Sequence, residues 1–156
     1  MEMALAEARQ AELMDEVPIG AIVVYHGKVI GAGHNMRERF QNAAYHAELL
    51  AIMEACEYLG SWRLEECDLY VTLEPCMMCS GAIMNSRIRT LYYGAKNPKA
   101  GTVESLYHLL SDSRFNHQVE IRSGIKENEC QQLLKQFFKR VRKARKAARK
   151  SAQQKN

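Results

Sequence analysis

Five short apolar stretches, separated by turns or helical segments, set narrow limits on the fold of this 156-residue chain. Residues 19–25 (IGAIVVY) and 28–33 flank the dipeptide His26-Gly27 and are predicted to form a β-hairpin. Three further strands, each reached through a helical segment, are predicted at 69–73, 90–93 and 119–122. Because parallel strands need such crossovers, the pattern predicts an α/β protein with three layers (α/β/α), in which a five-stranded mixed sheet carries helices on both faces.

The helical segments are predicted from apolar residues that recur at three- and four-residue spacing. In the segment 46–59 this spacing predicts that Leu49, Leu50, Met53 and Cys56 face inward. Residues 35–45 are polar and irregular and are predicted to form no regular element. The other helices are predicted at 2–14, 75–85 and 103–110, with a last helix that begins near Lys126 and runs into the C-terminal tail.

Charge is divided unevenly along the chain. Of its 22 Lys and Arg residues, ten lie in residues 135–156, which hold no Asp or Glu, so the rest of the chain carries 12 basic against 18 acidic side chains. This excludes a uniformly basic protein. It predicts one domain at 1–138, followed at 139–156 by a basic helix or tail that is frayed at its end. Basic runs of this kind bind polyanions, so we expect residues 139–150 to contact phosphates.

The longest uncharged apolar run, residues 19–25, is far shorter than the roughly 18 residues that a membrane-spanning helix needs. No apolar signal region is recognisable near the N-terminus. The five cysteines are an odd number in a chain large enough to fold without disulfides. We therefore expect a cytoplasmic protein with no membrane partner, whose cysteines serve as thiols or metal ligands.

Two short motifs carry the candidate chemistry, His46-Ala47-Glu48 and Pro75-Cys76-Met77-Met78-Cys79. Cys76 and Cys79 are three residues apart at the start of a predicted helix, where both fall on one face and where thiolates are stabilised. One imidazole and two thiolates suit zinc, although iron or cobalt would also bind. Three protein ligands leave the fourth tetrahedral position open, which is typical of a catalytic site.

Glu48 is expected beside the metal without binding it. Zinc lowers the pKa of a bound water to about 7, and a carboxylate there can pass the water proton to a leaving group. Each motif alone is a weak signal, because two nearby cysteines are more often core or redox residues. The two motifs together, each at a helix N-terminus, indicate a catalytic zinc, and the remaining cysteines (Cys56, Cys67 and Cys130) are expected to be core or partly exposed thiols.

With both motifs in place, the sequence resembles the zinc-dependent cytidine and deoxycytidylate deaminase superfamily, whose established signature is HxE followed by PCxxC. Within it the chain is most similar to the bacterial tRNA-specific adenosine deaminases, from Val17 to about Phe138. The matching stretches include VPIGAIVV, YHAELLAI and LYVTLEPCMMCSGAI. The resemblance implies a cytidine-deaminase-like fold and hydrolytic deamination of adenosine to inosine, by a zinc-bound hydroxide, at the first anticodon (wobble) position of tRNA.

The resemblance also implies roles for individual residues. His46, Cys76 and Cys79 would hold one zinc ion per subunit, and Glu48 would be the proton shuttle. The resemblance further implies a homodimer in which both subunits contact the tRNA anticodon stem-loop. The implied substrate contacts are Asn35 and the Ala47 backbone on the purine, Asn97 and Asn116 as further contacts, and Phe138 near the anticodon bases.

One loop departs from the family. The chain has Asn97 where many relatives have Asp, and Thr102 to Glu104 where they have more Gly. The loop is expected to border the RNA backbone, where loss of a carboxylate reduces repulsion with phosphate. We therefore expect slightly looser discrimination between RNA and DNA.

Three other interpretations of the motifs are open. Deaminases of free nucleobases or nucleosides, such as guanine or cytidine, share the zinc motifs, but the basic tail and the Phe137-Phe138 pair favour an RNA substrate. A non-catalytic RNA-binding zinc module has no need for Glu48 beside the metal. A bifunctional riboflavin-pathway deaminase is disfavoured by the short CMMC spacing and by the lack of a second domain.

Overall fold

The structure, a computed structural model, describes residues 1–153. Its strands are β1 (Gly20–Tyr25), β2 (Lys28–His34), β3 (Cys67–Leu73), β4 (Thr90–Ala95) and β5 (Glu120–Arg122). Its α-helices are α1 (Glu2–Leu13), α2 (Arg37–Phe40), α3 (Ala47–Leu59), α4 (Met77–Asn85) and α5 (Glu127–Gln153), and a single 3₁₀ turn spans Leu109–Ser111. The predicted strands and long helices are present, with bounds that differ by a few residues.

The five strands form one mixed sheet in the order β2-β1-β3-β4-β5. β1 is antiparallel to both β2 and β3, while β3, β4 and β5 run parallel. Helices α3 and α4 pack on one face with the main core, and α1 and α5 pack on the other, where Leu5, Ala95 and Cys130 form a second, smaller core. This confirms the predicted α/β fold. Because β2, β3 and β4 point the same way, their carboxyl ends meet at one edge of the sheet.

Helix α3 lies unusually close to strand β2. A Cβ atom added at Gly31 would lie 2.1 Å from the Ala51 carbonyl oxygen, and one at Gly33 would lie 2.5 Å from the Ala47 carbonyl oxygen. Ala47, Ala51 and Ala55 are fully buried on the facing side of the helix. The packing of the β2 glycines against the α3 alanines therefore sets the distance between the helix and the sheet. It also sets the position of the residues at the start of α3.

The predicted inward face of this helix is wrong for Met53, whereas Cys56 packs against the main core. Met53 is 65% exposed, and Leu49, Leu50 and Cys56 are only partly buried. Apolar spacing favoured the large side chains, because an alanine stripe carries little hydrophobic signal. In the structure the small residues form the buried face, since only they permit the close approach to β2.

The helix predicted at 103–110 is also wrong, because that segment folds as turns apart from the 3₁₀ turn at Leu109–Ser111. The N–H groups of Leu106 and Leu109 donate to the carbonyls of Gly101 and Thr102, five and seven residues earlier, instead of four residues earlier as in an α-helix. The N–H groups of Val103, Glu104 and Ser105 donate to the side chain of Glu74. Conversely, the segment predicted to be irregular at 35–45 contains the single-turn helix α2.

Helix α5 is continuous across the predicted boundary between residues 138 and 139, and it is about 40 Å long. Phe137 is buried, and the Arg140 guanidinium lies 3.0 Å from Glu12 and 3.6 Å from Asp15, so this part of the helix is held against the domain. Residues 142–152 are exposed. Of the end of the tail, which is predicted to be frayed, residues 151–153 are helical and 154–156 lie outside the described residues. No helix within the described range is both long and apolar enough to cross a bilayer.

Candidate active site at two helix N-termini

A cluster of three metal-ligating side chains lies where α3 and α4 begin. His46 is the N-cap residue of α3, Cys76 is the N-cap residue of α4, and Cys79 lies in the first turn of α4. The His46 Nδ1 atom is 3.7 Å from Cys76 Sγ and 3.5 Å from Cys79 Sγ. All three ligand atoms lie within 4.8 Å of one another, so they converge on one point that can hold a metal ion.

The two thiols of the cluster share a proton: the hydrogen bond to Cys76, together with burial, raises the pKa of Cys79, while Cys76 is held as the thiolate. Hydrogen bonds from Cys79 and from His46 stabilise the Cys76 thiolate and lower the pKa of Cys76 to about 3. A thiolate, rather than a thiol, is the form that binds metals. Within residues 1–153, no fourth His, Cys, Asp or Glu joins the three, which leaves one position of a tetrahedral ion without a protein ligand.

Glu48 lies beside this cluster but is not one of its members. It belongs to the first turn of α3, and only 4% of it is exposed. Burial raises the pKa of its carboxyl above the usual range. The raised pKa is closer to neutral pH, and a carboxyl whose pKa is near the working pH can both accept and return a proton.

The cluster opens into a cavity at the carboxyl edge of the sheet. Asn35 follows β2 and Asn97 follows β4, so the sheet topology brings these distant residues to the same cavity as Glu48 and the backbone of Ala47. Several residues implied by the resemblance are thus together. The complete lining consists of Ile19, Asn35, His46, Ala47, Glu48, Leu73, Glu74, Cys76 and Asn97.

Two of the implied substrate contacts lie elsewhere. Asn116 lines a second cleft with Arg87 and His117, at the opposite end of α4 from Cys76. Phe138 lies on α5, 42% exposed, with its ring against that of Phe137. Neither residue lines the cavity beside the metal cluster, so any contact with substrate would be to another part of it.

Two buried carboxylates near the cavity were not identified from the sequence. Glu16 and Glu74 are each 1% exposed. Glu74 lines the cavity directly, and Glu16 accepts a hydrogen bond from the side chain of Asn35. The only signal in the sequence is their position next to Val17-Pro18 and Pro75, at the ends of apolar or helical segments, which did not distinguish them from surface residues.

Comparison with known proteins places the chain in a family. The model of the MafB19-like deaminase family matches residues 1–142. The tRNA-specific adenosine deaminase of Bacillus subtilis (strain 168) is 51% identical over 151 residues, which cover 97% of this chain and 94% of that protein. The chain belongs to the tRNA-specific adenosine deaminase family.

Other tRNA-specific adenosine deaminases agree with this assignment. The protein of that name from Agrobacterium fabrum is 49% identical over 91% of this chain and 93% of its own length. A structure from a study of A-to-I editing by tRNA:A34 deaminases at the wobble position of transfer RNA superimposes with a TM-score of 0.82 at 48% identity, and covers 86% of this chain and 97% of that one. The family resemblance and the cytidine-deaminase-like fold predicted from the motifs are therefore confirmed.

Proposed function

We propose that the chain is a hydrolase that converts adenosine to inosine at the wobble position of a tRNA. The observation that carries the proposal is the single cavity that combines the His46, Cys76 and Cys79 cluster with the buried carboxyl of Glu48. The family assignment supports adenosine in tRNA as the substrate, because the relatives are named for that activity.

We infer that the ion is zinc, one per subunit. Typical Zn–S and Zn–N bond lengths at the tetrahedral angle separate sulfur from nitrogen by about 3.6 Å. The observed separations are 3.5 and 3.7 Å, and the donor set of one nitrogen and two sulfurs is of the kind that zinc prefers. A bound zinc ion would lower the pKa of a water in the open position to about 7.

The residues of the chain would orient the base and move protons. Glu48 accepts a proton from the attacking water and delivers it to ring N1, and then helps to protonate the leaving amine. Water adds at C6 of adenine, the bond from C6 to the amine breaks, and ammonia leaves. The Ala47 N–H, in the first turn of α3, has no acceptor within the helix and is available to the purine, with Asn35 beside it.

Incubation with an anticodon stem-loop that carries adenosine at the wobble position tests the function. We expect inosine in the RNA and release of ammonia. Free adenosine, cytidine and guanine are the comparison substrates, since a deaminase of free bases or nucleosides is the alternative. Faster ammonia release from one of these than from the stem-loop would contradict the proposal and favour that alternative.

The exposed part of α5 fits an RNA backbone. This basic arm, residues 142–153, carries six Lys or Arg residues and no acidic residue. Arg142, Arg145, Lys146 and Arg149 follow one another at helical spacing along one side of it. The contacts of Arg140 with Glu12 and Asp15 fix the start of the arm relative to the domain. We propose that the arm contacts phosphates of the anticodon stem.

Removal of the arm after Val141 is expected to weaken stem-loop binding at least tenfold and leave the zinc content unchanged. A cut after Lys135 would also remove the buried Phe137, so it would confuse binding with folding. If four phosphate contacts are lost, the slope of log K against log salt falls by about 3. Fluorescence anisotropy over a salt series measures both quantities, and a full-length variant with four Gln in the arm is the matched control. Unchanged affinity and slope would place the phosphate contacts elsewhere.

We also propose a homodimer, as the family implies. Large apolar side chains are exposed on the neighbouring elements α3, α4 and the segment up to the 3₁₀ turn, and such surfaces are typical of subunit interfaces. They are Met53, Met77, Leu106 and Tyr107. A monomer in sedimentation equilibrium at micromolar concentration would contradict the dimer.

Asn97 is expected to relax the preference for RNA over DNA. It lines the cavity and its side-chain oxygen accepts the Ala100 N–H at 3.2 Å, so its amide hydrogens remain for the substrate. Asn97→Asp replaces them by a carboxylate, which repels a nearby phosphate. We expect the ratio of kcat/KM for an RNA stem-loop to that for its DNA equivalent to rise in this variant. An unchanged ratio would show that Asn97 does not set this preference.

A further inference from the structure

Two buried carboxylates near the cavity have no part in the chemistry derived so far. Glu16 and Glu74 are each 1% exposed, although burial of a carboxylate is unfavourable unless it is paired or hydrogen-bonded. Neither forms an ion pair among the described residues. Instead, the hydrogen bonds that satisfy them come from the two segments that carry Asn35 and Asn97.

Glu74 gathers the segment that follows β4. Its Oε2 atom accepts the backbone N–H of Asn97 at 2.9 Å. Its Oε1 atom accepts the backbone N–H groups of Val103, Glu104 and Ser105 at 3.1, 2.8 and 2.9 Å, and the Ser105 hydroxyl also donates to Oε2. One carboxylate therefore binds both ends of the segment 97–105 and fixes where Asn97 enters the cavity.

Glu16 holds the segment that follows β2. Its Oε1 atom accepts the Arg39 N–H at 2.6 Å, and its Oε2 atom accepts the side-chain amide of Asn35 at 3.3 Å. The Asn35 amide also donates to the Val17 carbonyl at 3.3 Å, while the Asn35 oxygen accepts the Arg37 N–H. Both amide hydrogens of Asn35 are thus used within the protein, and its oxygen is the group with a free lone pair.

We propose that Glu16 and Glu74 are positioning residues for the deamination, and that each acts through one asparagine of the cavity. Glu16 turns Asn35 so that it offers a hydrogen-bond acceptor to the nucleoside. Glu74 holds Asn97 where it offers amide hydrogens: the Asn97 oxygen accepts the Ala100 N–H, and its NH₂ group bonds to no other side chain or backbone group among the described residues. The proposal rests on the proposed function, since the ligand of both asparagines is the nucleotide that is deaminated.

Substitution by glutamine separates this role from support of the fold. In Glu74→Gln the side-chain oxygen can still accept the three N–H groups of residues 103–105, but the new NH₂ group faces the N–H of Asn97. In Glu16→Gln the oxygen can still accept the Arg39 N–H, but the NH₂ group faces the amide of Asn35. Each change places a donor against a donor at the link to one asparagine and keeps the backbone N–H groups bonded to the other oxygen. The Ser105 hydroxyl, which donates to Glu74 Oε2, can rotate and accept from the new NH₂ group instead.

Two double-mutant cycles test the proposal. Both cycles measure kcat and KM on the anticodon stem-loop. The first compares Glu74→Gln, Asn97→Ala and the double variant that combines them. The second compares Glu16→Gln, Asn35→Ala and their double variant. Each glutamine variant is expected to lower kcat/KM about tenfold, and each double variant to be no worse than its alanine variant. Independent sites have additive effects, so a glutamine effect that persists in full beside the alanine would overturn the proposal.

The matched control is Glu54→Gln. The Glu54 carboxylate also accepts a backbone N–H, that of Ala32 at 2.6 Å, but it lies outside the cavity. We expect kcat/KM within twofold of the wild type. An equal loss in this variant would show that any such bond supports activity in a general way, and would overturn the specific role of Glu16 and Glu74.

An activity-independent measurement separates this proposal from the proposed function. If the wild type forms no inosine, the function fails, but amide hydrogen exchange still reports on Glu74. In Glu74→Gln we expect faster exchange at Asn97 with unchanged protection at residues 103–105 and unchanged zinc content. Unchanged exchange at Asn97 would overturn the positioning role. Loss of zinc would overturn it as well, since Glu74 would then support the nearby N-cap residue Cys76 instead.

Discussion

Glu48→Ala is expected to lower kcat for deamination by about 10²- to 10⁴-fold while zinc stays bound, because general acid–base groups contribute rate factors of this size. Glu48 lies outside the cluster of His46, Cys76 and Cys79, so its removal takes away no ligand. The proton of the attacking water then has no buried acceptor. Single-turnover rates of inosine formation and zinc content by mass spectrometry measure the two effects.

Two further variants sharpen this test. Glu48→Gln keeps the size of the side chain but removes the group that accepts a proton, so we expect it to be as inactive as the alanine variant. Glu57→Ala changes an exposed carboxylate on the same helix and is expected to keep wild-type activity. Glu48→Gln with most of the activity retained would refute the role as a proton shuttle.

Cys79→Ala is expected to reduce bound zinc from one ion per chain to nearly none, and activity with it. Cys79 is fully buried, and its sulfur is the ligand atom closer to His46 Nδ1, at 3.5 Å. Two remaining protein ligands do not form the three-ligand site that a catalytic zinc requires. Metal analysis after gel filtration measures the loss, and the unfolding temperature is expected to fall, because the ion stabilises the folded state to which it binds.

Cys56→Ala is the matched control for the metal site. Cys56 is a free, partly buried cysteine outside the cluster, so this variant is expected to keep one zinc ion and full activity. Retention of zinc by Cys79→Ala, at wild-type stoichiometry and after dialysis against a chelator, would contradict the assignment of Cys79 as a ligand.

The cluster of His46, Cys76 and Cys79 could be predicted from the sequence because the capacity to hold a metal ion depends on residue type and local spacing. Cys76 and Cys79 lie in one turn, and His46 is recognised by its motif with Glu48. The sheet was also predictable, since apolar strands and helical crossovers are local patterns. The convergence of Asn35 and Asn97 on one cavity was implied by the family resemblance, and residue spacing alone does not show it.

The remaining features depend on contacts between distant parts of the chain. The buried face of α3 follows from the glycines of β2, so the spacing of Leu49, Leu50 and Met53 was misleading. The segment 103–110 is not helical: its first three N–H groups donate to Glu74, about 30 residues earlier, and those of Leu106 and Leu109 donate to carbonyls five and seven residues back. The burial of Glu16 and Glu74 has no local signature, because a glutamate beside a proline is usually at the surface.

The close packing of α3 on β2 also limits how this enzyme can evolve. A single methyl group at Gly33 would lie 2.5 Å from the Ala47 carbonyl oxygen, so the start of α3 would have to move outward. His46 and Glu48 flank Ala47 and would move with it. In a population of variants, substitutions at Gly31 and Gly33 should therefore be eliminated as strictly as those of His46, Cys76 and Cys79, although neither glycine lines the cavity.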